Sequence, residues 1–258
     1  MKRLLVGSAA LLVALSTSAF STSTLAADMT PVFKTVPAAV PFDWSGVYGG
    51  VNAGYSWGRV PYDATSAGAP ISSGTLTPGS FVGGGQFGYN YQMGSVVLGL
   101  EADIAWRQGR DTSIWFLPNG LDTMSFRSEQ SWVGTLRPRA GIAIDNWLVY
   151  ATGGLAYGSF KHDFTESRPT VAGASRTAAD SDVRAGWTVG AGVEYAPSKR
   201  WSLGLEYLYA DYGKANLNQP PQALGGVAFS SSTSAFHDQS HLLRGKLNYH
   251  FDWGNPGR

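Results

Sequence analysis

The chain has 258 residues, 33 of them Gly, with 9 Trp, 12 Tyr and only 14% charged residues, well under the roughly 25% of ordinary soluble domains. Its net charge of +1 gives no basis for a nucleic-acid or strongly acidic partner. The absence of Cys excludes disulfides and thiolate metal sites, and the length suits one large β-domain or two small ones.

The first stretch reads as an export signal. Lys2 and Arg3 precede an apolar run from Leu4 to Leu15, and Ser16 to Ala27 is small and polar. That apolar core is too short to span a bilayer, so residues 1–27 are expected to be a signal peptide cleaved after Ala26 or Ala27. No later apolar run approaches the ~18 residues a membrane helix needs, which excludes a helical membrane protein. Residues 28–43 carry Pro31, Pro37 and Pro41, which oppose helix and central strand, and read as a flexible periplasmic lead-in.

From Trp44 to Trp253 the chain alternates with period two, the signature of strands. Eight are expected: Gly46 to Trp57, Phe81 to Gln92, Val96 to Arg107, Ser131 to Ile144, Trp147 to Phe160, Arg184 to Tyr195, Trp201 to Tyr212 and Leu242 to Trp253. The seventh is typical. Trp201, Leu203, Leu205, Tyr207 and Tyr209 share one face; Ser202, Gly204, Glu206 and Ala210 share the other, with Leu208 the exception. Pro138 falls on the apolar face of the fourth strand, where a bulge or distortion is expected because proline cannot donate to the ladder. Residues 254–258 form a short tail.

Connection length separates a soluble sandwich from a membrane barrel. Met93-Gly94-Ser95, Asp145-Asn146 and Pro197-Ser198-Lys199 are tight turns, whereas residues 58–80, 108–130, 161–183 and 213–241 are long. Short and long alternate without exception, as in outer-membrane barrels, which keep short turns on the periplasmic side. The fold expected is all-β: an eight-stranded antiparallel up-and-down transmembrane barrel with four long extracellular loops and short periplasmic turns.

The aromatics form two rows on that frame. The outer row holds Trp57, Phe81, Trp106, Trp132, Tyr157, Trp187 and Tyr209; the periplasmic row holds Trp44, Tyr91, Trp147, Tyr195, Trp201, Phe251 and Trp253. Amphipathic rings prefer the lipid boundary, so these are read as girdles. The opposite faces put nine ionisable residues inward: Glu101, Asp103, Arg107, Arg137, Arg139, Glu194, Glu206, Arg244 and Lys246. Along the hairpins Glu101 and Asp103 fall opposite Arg137 and Arg139, and Glu206 falls near Arg244 and Lys246. Eight strands leave an interior just wide enough for side chains, and buried charges must pair. A lumen plugged by salt bridges is therefore expected, with a narrow solute path along the same residues as the alternative.

Several segments resemble alphaproteobacterial outer-membrane immunogenic proteins of the RopB type. They are Ala27-Asp28, Trp44-Ser45-Gly46-Val47-Tyr48-Gly49-Gly50, Asn52 to Gly58, Tyr150 to Gly158, Gly190 to Tyr195 and Leu247 to Phe251. The resemblance spans the mature chain and implies an OmpA-like, porin-family barrel of the outer membrane. It implies contact with the bilayer and lipopolysaccharide, and recognition of the last strand by the barrel-insertion machinery. Residues 254–258 after Trp253 depart from the terminal aromatic such barrels present, which makes that recognition signal slightly internal. Haem-binding relatives would make His162 or His237 candidate axial ligands. Exposed loop aromatics Trp115, Phe116, Phe229 and Phe236 would suit a surface contact.

The chemical alternatives are thin. Ser240-His241 and His237-Asp238 sit at the outer start of the eighth strand, as a lipid-modifying enzyme would need, but no base–orienter pair is placed beside them. His237 and His241 are the only histidine pair with near-ligand spacing. No catalytic, cofactor or metal site is expected, and the role expected is structural or interfacial.

Overall fold

The computed structural model describes residues 41–116, 122–169, 171 and 174–251, all within the compact unit Val40–Arg258. The expected signal peptide, lead-in residues 28–40, Trp253 and the tail 254–258 lie outside the described residues.

Eleven strands follow in chain order: β1 (Gly46–Ser66), β2 (Ala69–Leu76), β3 (Gly79–Met93), β4 (Val96–Phe116), β5 (Thr123–Ile144), β6 (Trp147–Ser167), β7 (Ser175–Tyr195), β8 (Trp201–Gln219), β9 (Gln222–Leu224), β10 (Val227–Phe229) and β11 (Ser232–His250). Every neighbouring pair is antiparallel, and β11 pairs with β1 to close a ring of eight long strands. β2 extends the β1–β3 hairpin outward, and β9–β10 is a small hairpin between β8 and β11. No helix long and apolar enough to cross a membrane occurs among the described residues.

The apolar face points outward. Val51, Phe87, Leu98, Leu100, Ile142, Val149, Leu155, Val189, Leu203, Leu205 and Leu247 are all exposed on the outer wall, while Tyr48, Asn52, Gln86, Glu101, Arg137, Glu194, Glu206 and Arg244 are buried inside. A water-soluble β-domain does the reverse. Eleven of the twelve girdle residues other than Trp44 and Phe81 lie on the outer wall, and the twelfth, Trp253, is outside the described residues. Within the rows they touch across strands: Trp147 with Tyr195 at 4.7 Å, Trp187 with Tyr209 at 5.4 Å, and Trp132 edge-on to Tyr157 at 6.0 Å. On β7 the two rows stand at Trp187 and Tyr195, in keeping with the ~9–11 residues a tilted strand needs to cross a bilayer.

Trp44 corrects its expected place. It is fully buried, packed edge-on against Phe42 at 4.7 Å and near His250 at 5.8 Å. Its even number gives it the same parity as the inward Tyr48 and Asn52, so the alternation itself carries it inside. Its amide donates to Gln92 Oε1 at 2.8 Å, and with Val97, Leu148, Tyr150 and Ala196 it fills the periplasmic mouth.

The strands run far past the outer girdle. Most of residues 58–80, 108–130, 161–183 and 213–241, read from sequence as loop, is paired strand. Two things hide these extensions. Beyond the lipid the outer face no longer has to be apolar, so polar residues occupy both faces. The period also slips: β5 turns even residues inward up to Gln130 and odd residues from Val133, with a register shift at Gln130/Trp132. β8 does the same after Tyr212, at Gly213, whose φ of 75° suits glycine best.

In this overhang the ring divides. Backbone pairing between β7 and β8 runs only from Tyr195↔Leu203 to Trp187↔Asp211, and among the described residues none joins β2 to β4. Above the girdle, β4–β5–β6–β7 and β8–β11–β1–β2 therefore form two four-stranded halves. Val60, Tyr62, Ala64, Leu76, Phe126, Phe164, Leu217 and Phe236 pack between them as an apolar core. Pro138 distorts its strand without a bulge: pairing of β5 with β6 lapses between Leu136↔Leu155 and Arg139↔Thr152 with register unchanged. The Thr152 hydroxyl donates to the Pro138 carbonyl at 2.9 Å.

Candidate functional site in the barrel interior

All nine inward-facing ionisable residues are buried. Eight of them join in one network of four acids and four bases. The register sets Glu101 opposite Arg137 and Glu206 opposite Arg244. Arg137 Nη2 donates to Glu101 Oε1 at 2.8 Å and to Asp103 Oδ2 at 2.9 Å, and reaches Glu206 Oε2 at 3.3 Å across the lumen. Arg244 donates to Glu206 from Nε at 2.8 Å and to Asp103 from Nη2 at 2.9 Å. Lys246 Nζ donates to Glu101 Oε2 at 2.6 Å. Arg139 faces Gly99 in the ladder and turns to Glu194, 2.8 Å away. A guanidinium fork suits such multiple carboxylate contacts, and in this low-dielectric interior each one fixes geometry.

Two tyrosines complete the network, and neither stood out in the sequence. Tyr48 donates to Glu101 Oε2 at 2.7 Å and Tyr150 to Glu206 Oε1 at 2.9 Å. Their rings also flank Arg139, whose Cζ lies 5.1 Å from one centroid and 4.5 Å from the other. Gly88 and Gly192 make room for this. A Cβ on Gly88 would overlap the Tyr48 ring, and one on Gly192 would sit 2.6 Å from the Tyr150 hydroxyl. An amide chain extends the network: Asn52 donates to Gln86, Gln86 to Asn248, each at 2.7 Å, and Asn248 to Glu194 at 3.2 Å.

The interior is layered along the barrel axis. Below the network lies the Phe42–Trp44 plug. Above it, Val82, Leu208 and Leu242 form one apolar cluster and Ala105, Val133, Ala156, Phe160, Ala210 and Tyr212 another. Leu208, the exception in its strand's alternation, belongs here. Higher still, Asp238 accepts from Arg184 at 2.6 Å and lies 3.1 Å from His162 Nε2. Past the aromatic core of the overhang, Glu166 accepts from Arg176 at 2.8 Å, and the guanidinium groups of Arg168 and Arg176 lie 4.7 and 5.0 Å from the centroid of the Phe229 ring.

The structure separates the residues considered for chemistry. Ser240 points inward against Ser56 Oγ at 3.2 Å, whereas His241 points outward, stacked on Trp57 and 2.7 Å from the Tyr207 hydroxyl. Consecutive residues of a strand face opposite ways, so these two cannot act together. His162 is buried and stacked on Phe236, and His237 pairs with Asp211 at 3.0 Å. Phe229 and Phe236, expected as exposed loop contacts, are 2% and 1% exposed; in the overhang, apolar residues face in because water has replaced lipid outside. Trp115 and Phe116 end β4, and their side chains lie outside the described residues.

The profile of the outer membrane protein beta-barrel domain matches residues 8–251. The chain belongs to that family. Within it, the 31 kDa outer-membrane immunogenic protein of Brucella melitensis is 40% identical over 244 residues, covering 90% of this chain and 95% of that one. The 22 kDa outer membrane protein of Rhizobium leguminosarum bv. viciae is 30% identical over 180 residues, 69% of each chain. These relatives place this member of the outer-membrane barrel family with the alphaproteobacterial immunogenic, RopB-type proteins, in the outer membrane. Among solved structures, the outer membrane protein OprG of Pseudomonas aeruginosa superposes with a TM-score of 0.52 at 12% identity, over 82% of this chain and 100% of that one. At that identity the likeness concerns the fold.

Proposed function

We propose that this barrel is a structural and surface-interaction element of the cell envelope, non-catalytic, with a lumen held shut by its own side chains. The observation that carries this reading is the four-to-four ion-pair network stacked between apolar layers. Two small cavities, of about 10 and 20 Å³, line the interior around Arg107. Each has room for a single particle the size of a water molecule or a small inorganic ion, and none for an organic solute. Eight of the nine inward charges that could line a path are instead paired with one another.

On this reading residues 1–27 direct export and are removed, 28–43 lead in from the periplasm, 44–253 form the barrel and 254–258 trail it. The outer girdle meets lipopolysaccharide, and β11, with Leu243, Leu247 and Tyr249 on its outer side and Phe251 just after it, is the strand presented to the insertion machinery. Planar-bilayer recording of the purified protein tests the central point. No steady unit conductance is expected; a steady conductance that Arg139→Ala abolishes would overturn the reading in favour of small-solute transport.

A further inference from the structure

Arg107 is the ninth inward charge, and the count leaves it over. Glu101, Asp103, Glu194 and Glu206 are matched by Arg137, Arg139, Arg244 and Lys246. Asp238 is matched by Arg184. Arg107 is 5% exposed, yet no carboxylate among the described residues lies within ion-pairing distance of it. Its Nη1 donates to the neutral hydroxyl of Ser240 at 3.1 Å, and its Nε has no acceptor. A guanidinium taken out of water without a bound counter-charge is destabilising, and an orphaned buried donor adds to that. A bound ion is one of the few arrangements that accounts for both.

The space for such an ion is present. Arg107, Tyr212 and Ser240 stand on the wall between the cavities of about 10 and 20 Å³ and line both. Ser128 and Gln130 border the first; Thr135 and Thr188 border the second. Two carboxylates also line these spaces, and both are already occupied. Asp238 binds Arg184 and His162, and Asp103 binds Arg137, Arg244 and Thr135. Thr135 and Thr188 already donate to Asp103 and to the Tyr209 carbonyl, but Gln130 Nε2 has no acceptor and stands beside a guanidinium that has no ion-pair partner of its own, in volumes too small for phosphate or a carboxylic acid.

We propose that Arg107 holds a single halide-sized inorganic anion, chloride in the cell, inside the barrel at the level of Ser240 and Tyr212. The ion neutralises the interior and belongs to the folded state. It therefore stabilises by mass action in the ordinary way of a ligand bound only by the native protein.

The test uses the full barrel in detergent, unfolded at constant ionic strength in gluconate, chloride or bromide. The midpoint is expected to rise with halide concentration and then saturate, and Arg107→Gln is expected to lose that dependence while an exposed-site control, Lys161→Gln, keeps it. Crystals soaked in bromide supply a second readout that does not need the variant to fold: an anomalous peak is expected in the cavity beside Arg107. A halide-independent midpoint, a halide effect that survives Arg107→Gln, or a cavity holding water only would each overturn the proposal.

Discussion

Arg137 touches three buried carboxylates, which makes it the residue whose loss should be felt most. Replacing it with Met leaves Glu101, Asp103 and Glu206 facing one another without their shared cation. The cost expected is about 3–5 kcal/mol, as for removal of one partner from a buried pair, read as a lowered urea midpoint for refolding in vesicles. Tyr48→Phe removes only the hydroxyl bond to Glu101 and should cost about 1.5–3 kcal/mol. Gly88→Ala attacks the same contact from the other side by pushing on the Tyr48 ring, with a cost of about 1–3 kcal/mol from overpacking. Parity of residue number along each strand is enough to put all nine interior charges on one wall. It could not say which charges meet across the lumen, because Arg137 to Glu206 and Arg244 to Asp103 depend on how far the sheet curls, and no local pattern encodes that.

The strands have two regimes, and one sequence rule reads only the first. Between the girdles, apolar residues face lipid; in the overhang, Tyr62, Phe126, Phe164 and Phe236 face inward, because both the outer solvent and the phase of the alternation change. This is why the bilayer-crossing segments are legible in the sequence and their continuations read as loop. The same inversion gives a depth-dependent prediction. Leu205→Arg, on the lipid face of β8, should cost about 2–4 kcal/mol near the midplane. Val183→Arg, outward on the overhang of β7, should cost close to nothing, since its side chain already meets water. Comparing the two by refolding equilibria in vesicles locates the membrane on the barrel; equal penalties would place the overhang in lipid.

For the whole molecule the orientation follows from the alternation of turns, and the chain's lack of Cys makes it easy to check. Ala223→Cys, in the β9–β10 hairpin, is expected to react with an impermeant maleimide on intact cells. Ser95→Cys, in the β3–β4 turn, is expected to react only after the envelope is opened. The opposite pattern would invert the molecule. The network described in the lumen also bears on how such a barrel comes together. Lys246 and Glu101 are 145 positions apart, and Arg244 and Asp103 are 141 apart. Their bonds exist only when the last strand has met the first. A half-assembled sheet would turn bare guanidinium and carboxylate groups toward hydrocarbon, so partial insertion carries a steep electrostatic penalty that vanishes on closure. The final hairpin thus acts as a latch, and its charges bias assembly toward an all-or-none event.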